Sequence, residues 1–316
     1  MLAFENILQR IESEISQLQF TNPPKSLYEP IEYILSLGGK RIRPALTLMA
    51  CNIYNNSIEN AIKPALGLEV FHNFTLLHDD LMDEADKRRN KPTVHKVWNA
   101  NTAILSGDAM LIAAYQLIGS TEHGHLKQVL EICGGQQFDM EFESRMDVSE
   151  EEYIEMIRLK TAVLLACSLK TGALLGGASQ EDAGNLYAFG INIGLAFQLQ
   201  DDLLDVYGDT ATFGKNIGGD ILCNKKTFLL INALRLANKE QAEALRSWMG
   251  KKEFDPAQKI QAFTSIYNEL QLKQLTENKI QAYYDASVEN LKALQVAPEK
   301  LTILKEVCDH LMHRQS

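Results

Sequence analysis

Residues 79–83 and 201–205 both read Asp-Asp-x-x-Asp, as Asp79-Asp80-Leu81-Met82-Asp83 and Asp201-Asp202-Leu203-Leu204-Asp205, with the first aspartates 122 positions apart. At about 100° per helical residue, the first and fifth positions share a face one turn apart, so the outer carboxylates of each motif point the same way. Aspartate is a poor helix-interior residue, and like charges at i,i+4 repel. Something must neutralise the pattern. Carboxylate oxygens are hard ligands suited to magnesium, which keeps several waters and is shared between one or two carboxylates and substrate phosphates. One such motif could be a solvated acidic helix face; two copies, each behind an apolar run, predict a divalent-cation site.

The neighbouring cations narrow the ligand. Within about ten residues of each motif lies a loop with Arg or Lys among Gly, Asn or Pro: Arg88 and Arg89 in Lys87-Arg88-Arg89-Asn90-Lys91-Pro92, and Lys215 in Phe213-Gly214-Lys215-Asn216-Ile217-Gly218-Gly219-Asp220. Carboxylate-held metal on one side of a phosphate and Arg or Lys on the other is a recurring design for phosphate chemistry, so the expected substrate is a diphosphate ester. Lys160-Thr161 sits inside the apolar run Leu159–Leu169, where a lysine is costly unless paired.

A net charge of −10 argues against a nucleic-acid binder, whose affinity rests on clustered Lys and Arg. Five scattered cysteines without C-x-x-C spacing read as reduced packing residues. The N-terminus has no secretory pattern and no uninterrupted apolar stretch reaches about 18 residues, so the expectation is a soluble cytoplasmic protein without a membrane span. Helical apolar spacing predicts helices over 3–18, 26–37, 45–54, 57–81, 100–119, 125–144, 150–178, 184–206, 224–237, 239–249, 256–270 and 279–294, with Gly38-Gly39 ending the second. Runs of β-branched alternation are missing. The expected fold is all-α, a single-domain helical bundle over 1–316 around a deep central cavity.

Taken together, Gly38-Gly39-Lys40-Arg41-Ile42-Arg43-Pro44, His72 with His78-Asp79-Asp80-x-x-Asp83, Arg88-Arg89, Gly135-Gln136-x-x-Asp139, Lys160-Thr161, Phe197-Gln198-x-x-Asp201-Asp202-x-x-Asp205 and Gly214-Lys215 with Gly219-Asp220 closely resemble the trans-isoprenyl diphosphate synthases, in that family's order and spacing from residue 38 to about 226. The resemblance implies magnesium-dependent head-to-tail prenyl transfer from an allylic diphosphate to isopentenyl diphosphate. It implies that Asp79 and Asp83 bind magnesium, that Asp201 does so with Asp205 in support, and that three ions bridge these to the allylic diphosphate. It assigns Arg88, Lys160, Thr161, Gln198, Lys215 and Lys225 to that diphosphate, and Lys40, Arg43, His72 and Arg89 to isopentenyl diphosphate. Asp80, Gln136, Asp139, Asp202 and Asp220 are supporting residues, and a homodimer is implied.

Phe74 and Thr75 lie one turn before Asp79, with Phe71 a turn deeper, so an aromatic at 74 would act as a floor to the growing chain. In the family a bulky residue there resembles short or medium-chain synthases, which predicts a product of fifteen or twenty carbons. A two-residue insertion found in the first motif of some farnesyl synthases is absent, and the chain ends His310-Leu311-Met312-His313-Arg314-Gln315-Ser316 with one Arg, less basic than termini that close over the site in others. A terpene cyclase shares the fold and first motif but normally replaces the second D-D-x-x-D, which is intact here. A noncatalytic subunit of a heteromeric synthase would have lost ligands, and none is lost.

Overall fold

The computed structural model describes residues 2–20, 23–119, 129–208 and 217–312. Its first ten helices are α1 Phe4–Ser16, α2 Lys25–Ser36, α3 Ile42–Tyr54, α4 Glu59–Met82, α5 Val94–Val97, α6 Ala100–Ile118, α7 Val129–Ser144, α8 Glu150–Ile157, α9 Val163–Gly176 and α10 Gln180–Tyr207. Between α4 and α5 a two-residue hairpin, β1 Lys87–Arg88 with β2 Lys91–Pro92, is the one sheet among the described residues. Later helices cover Gly219–Leu222, Phe228–Leu236, Lys239–Gly250, Pro256–Glu269, Leu272–Lys292 and Thr302–Met312. The all-α expectation holds.

The chain divides into two compact units, each of discontinuous segments: Met1–Lys127 with Cys167–Tyr187 and Gln295–Leu304, and Gln128–Ala166 with Ala188–Leu294 and Lys305–Ser316. In the first unit α4 packs along α6 and α3, and α1 lies on α3 and α4. Apolar burial drives this: Ile7, Ile11 and Ile15 of α1 are buried at helical spacing, as are Leu66, Val70, Phe71, Phe74 and Leu77 of α4. In the second unit α7 packs against α8 and the turn that follows it, and the helices between Phe228 and Lys292 pack on one another.

Local chemistry explains where the elements differ from the pattern. α3 starts at Ile42, three residues earlier than the spacing predicts, from Arg41 in the left-handed region (φ 49°). The basic stretch 87–92 is a hairpin. The expected helix from 224 begins at Phe228 because the Thr227 hydroxyl caps Leu230 N and Asn224 is left-handed (φ 55°). The helix expected from 279 starts two turns earlier at Leu272, and the one over Thr302–Met312 had no prediction. Against the expectation of no membrane-length segment, Glu150–Gly176 is one helical run long and apolar enough by composition, yet 72% of its apolar window is buried, as in a core helix.

Candidate active site

The first motif closes α4. Asp83 N donates to Asp79 O at 2.9 Å, so the outer aspartates stand in i,i+4 register as the spacing predicts. Asp79 is half-buried and Asp83 exposed, whereas Asp80 is 4% exposed. Both Asp80 oxygens accept from Arg88, from Nε and Nη2 at 2.7 Å each, a fork-to-fork ion pair held by the hairpin. Burial raises the Asp80 carboxyl above its usual range and Arg88 opposes the shift. Arg88, assigned to the allylic diphosphate, thus has two of its nitrogens committed to Asp80.

Around the N-terminus of α3 the cations converge. Arg41, 3% exposed, donates to Glu12 at 2.8 Å, to Glu69 at 2.8 Å and to the Leu35 carbonyl at 2.8 Å. It is fully engaged in holding α1, α2 and α4, and Glu69 also accepts from Asn73 at 3.1 Å. Burial brings Arg43 down to about 10, still charged at neutral pH, and its Nε is buried without a hydrogen-bond partner. Burial first, then the charges of Arg43, Arg89, Arg88 and Arg41, press His72 well below its ordinary value, so its ring is neutral. Arg89 Nη1 donates to Gly38 O, and a Cβ at Gly39 (φ 140°) would come within 2.7 Å of Arg89 Nη2, so the Gly-Gly pair lets the guanidinium lie against the backbone. Lys40 is exposed beside it. Four arginines near a neutral histidine, one with an orphaned buried N–H, form a place for an anion.

Along α4 ahead of the motif runs an aromatic column: Phe71 and Phe74 rings are 5.5 Å apart, and Phe74 and His78 rings 4.8 Å apart, edge to face. Phe74 is 9% and Phe71 1% exposed. Thr75, half-buried, returns its hydroxyl to His72 O at 2.8 Å.

The second motif sits in the last two turns of α10. Asp201 and Asp205 are half-buried, and Asp202 is 3% exposed. Asp202 accepts from the Tyr153 hydroxyl and, at 3.1 Å, from Gln198 Nε2. The chain continues to Thr161, whose hydroxyl donates to Gln198 Oε1 at 3.0 Å. Burial, then Asp220, push Asp202 up to about 7, opposed by Lys225, Tyr153 and Gln198. Asp205 accepts from Asp220 N at 3.0 Å, and Lys225 Nζ lies 3.8 Å from Asp220. Lys160 is paired after all, with Asp139 at 2.7 Å, and the half-buried Gln136 precedes Asp139 by most of a turn on α7.

Lys160 and Thr161 occupy a π-helical turn, Arg158–Ala162, between α8 and α9. A wide turn displaces side chains from helical register and is a frequent device at functional sites. Two glycines make room for it: a Cβ at Gly135 would lie 2.4 Å from Lys160 N, and one at Gly194 2.5 Å from Ala162 Cα. Lys215 lies outside the described residues.

Among the described residues no group of three or more His, Cys, Asp or Glu side chains gathers tightly enough to hold a metal by itself. The donor set nonetheless fits magnesium. In the first motif two outer carboxylates share a face while the middle one is neutralised by Arg88, which suits an ion whose remaining ligands are phosphate oxygens and water. Sequence reasoning missed Tyr153, Glu69 and Arg41 as organisers. Glu69 alone carried a signal, an acid inside an apolar helical run.

A family model, polyprenyl synthetase, matches residues 24–267. Among curated relatives, geranylgeranyl diphosphate synthase from Methanosarcina mazei is 35% identical over 98% of this chain and 97% of its own. A crystal structure of a geranylgeranyl pyrophosphate synthase superposes over all of both chains with a TM-score of 0.94 and 41% identity. A polyprenyl synthase from Caulobacter crescentus, solved with calcium and isoprenyl diphosphate, aligns over 99% of this chain and 96% of its own at a TM-score of 0.87 and 27% identity.

Proposed function

Since the chain belongs to the polyprenyl synthetase family, we propose that it is a prenyltransferase condensing isopentenyl diphosphate with an allylic diphosphate (dimethylallyl, geranyl or farnesyl) into a trans product of fifteen or twenty carbons. Asp79 and Asp83, and Asp201 with Asp205 in support, are the residues that would hold magnesium, and the resemblance implies three ions once the allylic diphosphate is bound. Bound there, magnesium supplies the charge that lets diphosphate depart without proton transfer. Lys160, Thr161, Gln198, Lys215, Lys225 and the uncommitted face of Arg88 orient the same group; Asp139 holds the Lys160 ammonium until diphosphate arrives. Lys40, Arg43, Arg89 and neutral His72 hold the isopentenyl diphosphate, whose charge offsets their mutual repulsion.

The single observation that carries the reading is the buried, unpartnered Nε of Arg43 inside that cationic group. As the carbon–oxygen bond breaks, the allylic cation is captured by the double bond of isopentenyl diphosphate, and loss of a proton yields the new allylic diphosphate. No described side chain is placed as an obvious base, and the released diphosphate takes the proton. The assembly is a homodimer, a reading supported by Ile104, Leu105, Ile112 and Tyr115 of α6, each between 43% and 61% exposed on one stripe.

The test is incubation with magnesium, labelled isopentenyl diphosphate and each primer in turn, separating products by length. Labelled products of fifteen or twenty carbons are expected. No incorporation with any primer would reject the reading, and cyclised hydrocarbon formed without isopentenyl diphosphate would replace it with a cyclase.

A further inference from the structure

Away from both motifs, one buried cation has no counter-charge. Lys259, on the helix Pro256–Glu269, is 0% exposed. Its ammonium donates to Leu222 O at 3.0 Å and Asn224 Oδ1 at 2.7 Å, and lies 4.4 Å from the Phe254 ring centre and 5.9 Å from that of Phe263. No carboxylate among the described residues pairs with it. Burying an ammonium this way costs several kcal/mol, and an apolar side chain of similar volume would commonly be as stable or more so. The ammonium is therefore better explained by what it fixes than by any stability it adds.

What it fixes is the turn that carries Asp220 and Lys225. Leu222 O is the last carbonyl of the helical turn Gly219–Leu222, and Asn224 follows it in the left-handed region. Within the turn Lys225 N donates to Asp220 O at 2.9 Å. The turn grips the second motif: Asp220 N donates to Asp205 Oδ2 at 3.0 Å, and Gly218 N to Asp205 O at 2.6 Å. Ile260, the neighbour of Lys259, packs so closely on Gly218 that a Cβ there would meet it at 2.6 Å. A second buried lysine, Lys226, pins the far side by donating to Glu143 O at 2.9 Å.

We propose that Lys259 is a positioning residue, which sets the Asp220–Lys225 turn against Asp205 and thereby the grip of the second motif on magnesium diphosphate. The proposal rests on the prenyltransferase reading only for the identity of that ligand. Lys259 touches neither substrate nor metal ligand; it acts through Leu222 O and Asn224.

The test uses the full chain with Lys259→Met, which keeps the apolar stem and removes the donor. In the metal-free protein, amide hydrogen exchange at Asp220 and Lys225 is expected to quicken about tenfold while the amides of α4 are unchanged. Calorimetry with magnesium and inorganic diphosphate should show affinity lowered by about 10- to 100-fold, the usual effect of losing a residue that orients ligands. The allylic KM should rise by a similar factor with the isopentenyl diphosphate KM within about twofold. Asn224→Gly keeps the left-handed backbone, removes one acceptor, and should shift all three readouts the same way by less; it carries the test if Lys259→Met does not fold. Unchanged exchange at Asp220 and Lys225, or equal losses for both substrates alongside a lower Tm, would overturn the proposal. Failure of the unsubstituted protein to bind magnesium diphosphate would instead sink the functional reading, and the exchange result would still judge Lys259.

Discussion

The two aspartate motifs share a spelling and differ in how their middle residue is kept. Asp80 is buried as an ion against the two-pronged guanidinium of Arg88, five residues beyond the end of its motif. Asp202 is buried against neutral partners, the Tyr153 hydroxyl and the Gln198 amide, and is pushed up to about 7. Their outer residues differ as well. Asp83 closes its helix and is exposed, whereas Asp205 is already engaged by the amide of Asp220. Identical patterns thus give one middle aspartate an ionic partner and the other neutral ones; the first partner comes from the hairpin eight residues on, and of the second pair Tyr153 stands 49 residues back.

The largest effect should separate the outer aspartates. Asp79→Ala, Asp83→Ala and Asp201→Ala are each expected to lower kcat/KM by on the order of 10²–10³-fold, the scale of removing one group that stabilises developing charge. Asp205→Ala should cost about tenfold, because its carboxylate chiefly orders the turn at Asp220. Losses of equal size at Asp201 and Asp205, measured in steady-state assays, would break the ranking.

The middle residues should separate in pH dependence. A carboxyl at about 7 in the folded, metal-free protein and near 3.9 unfolded binds more protons when folded across that interval. Stability therefore falls as pH rises from about 4 to about 7 and is flat above, a change on the order of 4 kcal/mol at 1.36 kcal/mol per pH unit. Asp202→Asn should flatten that slope and be the more stable protein at pH 7.5 in chemical denaturation. Asp80 shifts in the same direction with Arg88 opposing it, so Asp80→Asn should destabilise by leaving Arg88 unpaired. The same contrast predicts about 3 kcal/mol lost for Arg88→Met, which strands a buried carboxylate, and about 1 kcal/mol for Tyr153→Phe, after which Asp202 can take a proton. A larger loss for Tyr153→Phe would reverse the assignment of ionic and neutral partners.

Much of this was legible in the sequence. Asp79 and Asp83 on one face, the helix stop at Gly38-Gly39 and the need to pair Lys160 all follow from spacing and desolvation alone. The partners were not. Tyr153 stands 49 residues from Asp202, and Glu12 stands 29 from Arg41, so only tertiary packing selects them. The π-helical turn under Lys160 and Thr161 has no local signature either; its trace is two glycines, Gly135 and Gly194, on other helices. Helix starts at Phe228 and Leu272 were misplaced because Thr227 and Gln271 decide them through capping and a left-handed turn, beyond the reach of apolar periodicity.

A smaller effect concerns what stands in front of each motif. One turn before Asp201, α10 carries Phe197 and Gln198 and, a turn deeper, Gly194 against Ala162; one turn before Asp79, α4 carries Phe74 within the column Phe71–Phe74–His78. The first motif has a column of three rings stacked beneath it, so a truncation there should open depth for a growing chain. Phe74→Ala should lengthen the main product by one or two five-carbon units, with Thr75 already small enough to leave the way open. The opening has a structural cost of about 3 kcal/mol for deleting a buried ring, so product length is to be read by chromatography at a temperature where the variant stays folded. Phe197→Ala on α10 is the control and should leave product length alone. Unchanged length in Phe74→Ala would return Phe74 to a purely packing role.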